Sequence, residues 1–208
     1  RDYGEGLSLD MSSASILEDA SLRTGLDDFG SMDFVGRLEM WLGEVAQDPD
    51  RLGIGNLSLR NSCVRYVANR LLTQDLLRRH PEIHDIKIER PIIIVGLPRT
   101  GTTHLLNVLS ADERLRSMPL WESYEPIPLS NQATNSAGVD PRYTRCAKEW
   151  EQMQMVTPHV ALMHPMDPDH VHEEIELMLP DFSSYNLEWV ARCPQWRDYY
   201  LSQDQTPH

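Results

Sequence analysis

An α/β fold, with a parallel sheet heavily wrapped by helices, is what the sequence predicts, and three observations carry it. Ile92, Ile93, Ile94 and Val95 form a β-branched run without alternation, the pattern of a strand covered on both faces. A polar loop bracketed by Gly96 and Gly101 follows at once and leads into TTHLLNVLSADE, residues 102–113, whose apolar positions run nearly all round a helix. Helical periodicity fills most of the chain before the strand. Only this first strand of the sheet is clear, and the helix after the loop is expected to be central.

The helices are justified in chain order by their ends. SSASILEDASLRTG, residues 12–25, has serines to cap it and Gly25 to stop it. DFVGRLEMWLGEVAQDP, 33–49, is ended by Pro49. LSLRNSCVRYVANRLLTQDLLRRHP, 57–81, puts Val64, Val67, Ala68, Leu71 and Leu72 at helical spacing, with Arg78, Arg79 and His80 at its C-terminal end and Pro81 as terminator. Residues 130–143 read as a loop, and Asp140 and Pro141 open a helix over RYTRCAKEWEQMQM. A further helix is expected from Asp167 and Pro168 to Pro180, with Val171, Ile175, Met178 and Leu179 as its buried stripe. The expected organisation is a helical N-terminal region, 1–88, followed by an α/β region, 89–208. Met153, Met155, Met163 and Met166 crowd the second half with Trp121, Trp150, Trp189 and Trp196, a set expected mainly in the core or on an apolar acceptor surface.

Charge and cysteine usage exclude several functions. A net charge of -13 argues against a nucleic-acid partner, because duplex binding needs clustered Lys and Arg. An anionic ligand has to be captured by local geometry. Cys63, Cys146 and Cys193 are odd in number, far apart and without C-x-x-C spacing, which fits a reduced protein rather than a disulfide or zinc scaffold. No apolar stretch approaches the roughly 20 residues of a membrane span, and the first residues show no signal-peptide pattern. A cytoplasmic protein without a membrane span is expected.

The loop carries the chemistry. Gly96 and Gly101 stand four residues apart, followed by Thr102 and Thr103, which is phosphate-loop spacing with Thr102 where a lysine belongs. Backbone amides of such a turn, together with the helix N-terminus, favour an anion. A glycine turn with no ligand is the plainer alternative. Strand, glycine interval, cation at Arg99 and paired threonines together weigh against it.

GLPRTGTT resembles the 5'-phosphosulfate loop of sulfotransferases that use 3'-phosphoadenosine 5'-phosphosulfate (PAPS). The matching positions are Pro98, Arg99, Thr100, Gly101, Thr102 and Thr103. Arginine at the cation position is a feature of the bacterial and tyrosylprotein branches. SADERLRSMPLWE and HPMDPDHVHEEIELM look like the bacterial branch, so the resemblance spans roughly residues 90–200. It implies a P-loop-like core and PAPS as co-substrate; no metal is expected, because a sulfuryl group carries less charge than a phosphoryl group, and the methionines and tryptophans of the second half point to a small or lipid-linked acceptor that is partly apolar. The family's second signature, an R-D-P strand with a serine for the 3'-phosphate, has no counterpart after Glu188. Residues 89–208 are therefore expected to be the front half of such a domain.

The resemblance also implies a base for the acceptor proton. Glu122 in PLWES is the first candidate, and Trp121 beside it is expected to raise its basicity by desolvation. His172 and Glu174 are the second, flanking the apolar stripe of the 167–180 helix. A metal there is not expected, because Glu176 stands where the zinc-protease motif needs histidine, and His170 and His172 cannot share a helix face. The alternatives are a P-loop small-molecule kinase, disfavoured by the absent lysine, and an inactive helical binding module.

Overall fold

Ser12 caps α1 (Ser13–Thr24), its hydroxyl accepting from the Ser15 amide at 3.2 Å, and Gly25 closes the helix in the left-handed region at φ 72°. The computed structural model describes residues 9–97, 99–129, 132, 138–164 and 166–204. The further helices are α2 (Asp33–Val45), α3 (Gly53–Arg79), α4 (Thr102–Ser110), α5 (Leu120–Tyr124), α6 (Pro141–Val156), α7 (Pro158–Met163), α8 (Asn186–Val190) and α9 (Pro194–Ser202). Short 3-10 segments cover Pro81–Asp85 and Glu174–Asp181. The chain divides into two compact units, residues 1–80 with 175–208, and residues 81–174. The sequence pattern alone puts its boundary at residue 88.

In the first unit the C-terminal segment is built into the N-terminal helices. Phe182 is fully buried, stacked on Phe34 at 6.3 Å between ring centroids and edge-on to Tyr66 at 6.0 Å. Trp41, Leu187 and Trp196 join the same core. Asp181 accepts from Arg37 and Arg70, each at 2.8 Å, and the two guanidinium side chains are only 9% and 11% exposed. The Glu44 carboxylate on α2 takes the Gln195 and Trp196 amides at 3.0 and 2.7 Å, capping α9 from a distant helix. Trp196 belongs to the core that the sequence expects, whereas Trp189 is 64% exposed. All three cysteines are buried and free. Burial pushes the Cys63 thiol up to about 12 and that of Cys193 up to about 11, so neither is a reactive thiolate near neutral pH.

The second unit departs from the sequence expectation in three places. Ile92 to Val95 form no strand, and Ile92, Ile93 and Val95 are exposed rather than buried. A strand needs a neighbour for its backbone groups, and no sheet forms among the described residues. The parallel sheet is therefore not visible here. The helix after the loop ends at Ser110 and buries no residue, so it is not central in this unit. The helix expected over 167–180 is replaced by a turn, an isolated antiparallel bridge between Pro119 and Val171, and the Glu174–Asp181 segment. The Pro168 and His170 carbonyls and the His172 amide are bonded to residues 118–121 instead of along a helix. Of the expected stripe only Leu179 is buried.

Asp140 and Pro141 do open α6, the Asp140 carboxylate accepting from the Arg142 amide at 2.8 Å. Half of the 130–143 loop lies outside the described residues. Met155 and Met163 are exposed, not core. No helix of the described residues is long and apolar enough to cross a membrane.

Replacing Asp181 by Ala takes the shared carboxylate from two nearly buried guanidiniums, which keep backbone carbonyl partners, and a loss of about 3–5 kcal/mol in denaturant-unfolding free energy is expected. A change below about 1 kcal/mol would show that the C-terminal segment is held by its apolar contacts alone.

Candidate functional site

Two features of the second unit bring the sequence's candidate residues into relief. The first is the loop before α4. Gly96 has no room for a side chain, because a Cβ would meet Thr102 Cγ2 at 2.8 Å and Thr100 Oγ1 at 2.9 Å. Thr100 closes the turn, its amide and hydroxyl donating to the Leu97 carbonyl at 3.3 and 2.6 Å. Gly101 then enters α4 with φ 96° and open space on its Cβ side. Arg99 adopts φ 67°, uncommon for a residue with a side chain, and stands exposed. No side-chain hydrogen bond caps α4, although the Leu105 amide donates to the Gly101 carbonyl at 3.0 Å. Among the described residues, the Arg99 guanidinium and the Thr102 and Thr103 hydroxyls are not engaged by other side chains. Pro98 lies outside the described residues.

The second feature is a backbone clamp. The Leu120 amide donates to the His170 carbonyl at 2.8 Å, the His172 amide to the Met118 carbonyl at 2.8 Å, and the Trp121 amide to the Pro168 carbonyl at 3.3 Å. Segments about fifty residues apart in sequence are thereby zipped together, and with them the two candidate regions for a base. Glu122 sits in the first turn of α5, and its carboxylate accepts from Arg116 Nη2 at 2.7 Å. Trp121 lies under Arg142 at 4.7 Å and edge-on to Tyr143. His172 is buried, its ring 6.4 Å from Tyr124 and 6.0 Å from His170, whose ring is 5.5 Å from His164. Glu174 is exposed at the start of the 3-10 segment.

Sequence reading missed the supports of this clamp. Arg142 donates to the Glu125 and Pro126 carbonyls at 2.9 and 3.2 Å while paired with Asp140, and Arg145 Nε holds the buried Glu125 carboxylate at 3.0 and 3.1 Å. Tyr143 donates to Asp169 at 2.8 Å. The cap signal at Asp140 fixes α6 locally, but nothing in the sequence says which segment its arginines will reach. The helix-face reason for separating His170 from His172 fails as well, since the segment is not helical. No group of three His, Cys, Asp or Glu suited to a metal is found among the described residues.

A model of the sulfotransferase family matches residues 91–208, loop and clamp included. The chain belongs to the sulfotransferase family. Among solved structures, the sulfotransferase STF1 from Mycobacterium tuberculosis is similar at a TM-score of 0.76 and 27% identity, covering 94% of this chain and 53% of that one. The sulfotransferase STF9 from Mycobacterium avium is similar in fold at a TM-score of 0.77 and 24% identity, covering 95% of this chain and 50% of the other. This sulfotransferase-family chain thus spans about half the length of the solved chains it matches, and coverage that high takes in its N-terminal helices too. No curated protein matches the chain.

Burial, with the neighbouring His172 and His164, holds the His170 imidazole below its ordinary range, against the opposing pull of Asp167 and Glu173. Because the folded value is the lower one, the clamp is at full strength above about pH 6.5 and weakens as pH falls from there toward the depressed folded value. Amide exchange at Leu120 and His172, corrected for its intrinsic pH dependence, is expected to speed up across that window. Exchange that stays flat would separate the histidine cluster from the clamp's stability.

Proposed function

We propose that this chain supplies the donor-binding part of a PAPS-dependent sulfotransferase, transferring a sulfuryl group to a hydroxyl or amine of a small, partly apolar acceptor. The observation that carries the reading is the loop itself: Arg99, Thr102 and Thr103 surround an open glycine turn at the head of α4. Donors uncommitted within the fold are what a departing phosphate needs, because charge develops on it as the S–O bond breaks. Arg99 answers that charge with a guanidinium fork, Thr102 and Thr103 offer hydroxyl donors, and Thr100, its amide and hydroxyl committed to the Leu97 carbonyl, shapes the turn. Pro98 completes the motif in sequence. The PAPS, when bound, supplies the sulfuryl group, and this chain's residues bind, orient and neutralise.

Glu122 is the proposed proton acceptor. As the acceptor oxygen bonds to sulfur, its proton passes to the carboxylate, which shares its other interactions with Arg116. His172, held in place by the same clamp, is the second candidate, and Glu174, more exposed, the third. A kinase reading gains no support from the loop, since Thr102 occupies the lysine position. The reading includes a cytoplasmic location, in keeping with three buried thiols.

Two variants test it, using transfer from labelled PAPS to a phenolic acceptor. Arg99→Ala is expected to lower transfer by about 10²–10³-fold, the loss seen when a transition-state donor is removed. Turnover unchanged in Arg99→Ala would defeat the assignment. Gly96→Ala drives a Cβ into Thr100 and Thr102 and is expected to weaken binding of the desulfated nucleotide, with about 1–3 kcal/mol lost to overpacking. Glu122→Gln should lower kcat by about 10²–10⁴-fold with KM for the donor little changed. A comparable loss in His172→Asn, and none in Glu122→Gln, would move the role to the histidine.

A further inference from the structure

Among the aliphatic, aromatic and cysteine side chains described in residues 81–174, only Leu120 and Cys146 are buried. So little apolar burial does not offset the chain entropy of a unit this long. Apolar residues are not lacking there; they face outward. Ile92, Ile93, Val95 and Leu97 are 61% to 88% exposed. The helix that follows their loop, α4, leaves Leu105 and Val108 exposed and buries nothing. Apolar surface on this scale, on a unit without a core of its own, marks a place that another polypeptide covers.

The residues say what kind of segment covers it. Every residue from Ile92 to Val95 is β-branched, and their backbone groups make no hydrogen bond to other backbone groups among the described residues. A helix laid over this run buries its side chains but leaves those groups without partners, whereas a strand beside it pairs them. The absence of alternation suits a strand inside a sheet with both faces covered, and an open edge of such a run invites pairing. On α4, Leu105, Leu106, Val108 and Leu109 make a broad apolar face on a helix that buries none of them.

A second copy of this chain is a poor occupant, because it brings the same net charge of -13. The solved sulfotransferases point to a better one. This chain accounts for 53% of STF1 and 50% of STF9, so each carries about as much polypeptide again. We propose that residues 91–97 and α4 form the docking surface for the polypeptide that makes up that unmatched part of a sulfotransferase domain. It adds a strand beside Ile92 to Val95 and packs an apolar layer on Leu105 and Val108. Docking of this kind follows from family membership, not from the identity of the sulfuryl donor, and uses no side chain of residues 98–103.

The test is hydrogen exchange and light scattering on the whole chain, alone and co-expressed with the unmatched segment of STF1 or of STF9. Alone, the chain is expected to be a monomer whose Ile92 to Val95 amides exchange at near-unprotected rates. With a segment, a one-to-one complex is expected, and exchange at those amides should slow about a hundredfold or more. Changing Ile93→Lys and Val95→Lys together places two charges where the strand pairs and should weaken the complex at least about tenfold. Both side chains are exposed in the chain alone, so its circular dichroism and unfolding midpoint should stay as they are. Arg99→Ala should leave assembly unchanged, which separates docking from the donor loop. The proposal is overturned by any of four results: protected Ile92 to Val95 amides in the monomer, no complex with either segment, a complex indifferent to the two lysines, or self-association of the chain that the lysines abolish.

Discussion

The antiparallel contact between residues 118–121 and 168–172 is the constraint on which the candidate site depends. Without it α5, a five-residue helix too short to persist on its own hydrogen bonds, would be left to its side-chain contacts with Arg116, Arg142 and Tyr143. With it, the Leu120, Trp121 and His172 amides are satisfied, and Glu122 and His172 are fixed on neighbouring segments. Arg142 and Arg145 then fasten the end of α5 to α6 through the Glu125 carbonyl and carboxylate. Each layer presupposes the one before it.

The same accounting of backbone groups explains what could and could not be read in the sequence. Helix ends were legible where the deciding groups are neighbours in the chain: Ser12 and Gly25 around α1, Asp140 and Pro141 at α6, and Arg78 and Arg79 in the last turn of α3. Ile92 to Val95 have the composition of a buried strand, but composition carries a preference and not a partner, and the run is exposed. Residues 167–180 have helical periodicity, yet the pairing of Val171 with Pro119 takes the backbone that the helix would have used. Non-local hydrogen bonding overrode a local pattern there. The cluster of His164, His170 and His172 was hidden for the same reason, because its geometry exists only once that helix is gone.

The loop was the most legible part of the site, and its legibility is physical. Gly96 is required by contact with Thr100 and Thr102, and Gly101 by a positive φ, so the spacing in the sequence is a record of steric need. The chain as a whole is strongly acidic. A polyanionic ligand is repelled at long range, and it must be held by a few donors at short range whose interaction salt screens least. A local cradle is what such a chain has to offer, and the family it belongs to is one whose chemistry turns on an anion.

On the proposed reading the loop holds a phosphate whose charge is met by protein donors rather than by a metal. Competitive calorimetry of 3'-phosphoadenosine 5'-phosphate against ATP, each with magnesium and with a chelator, tests it most directly. The account predicts tighter binding of the adenosine bisphosphate, unchanged when magnesium is removed. Tighter binding of ATP that collapses in the chelator would contradict it.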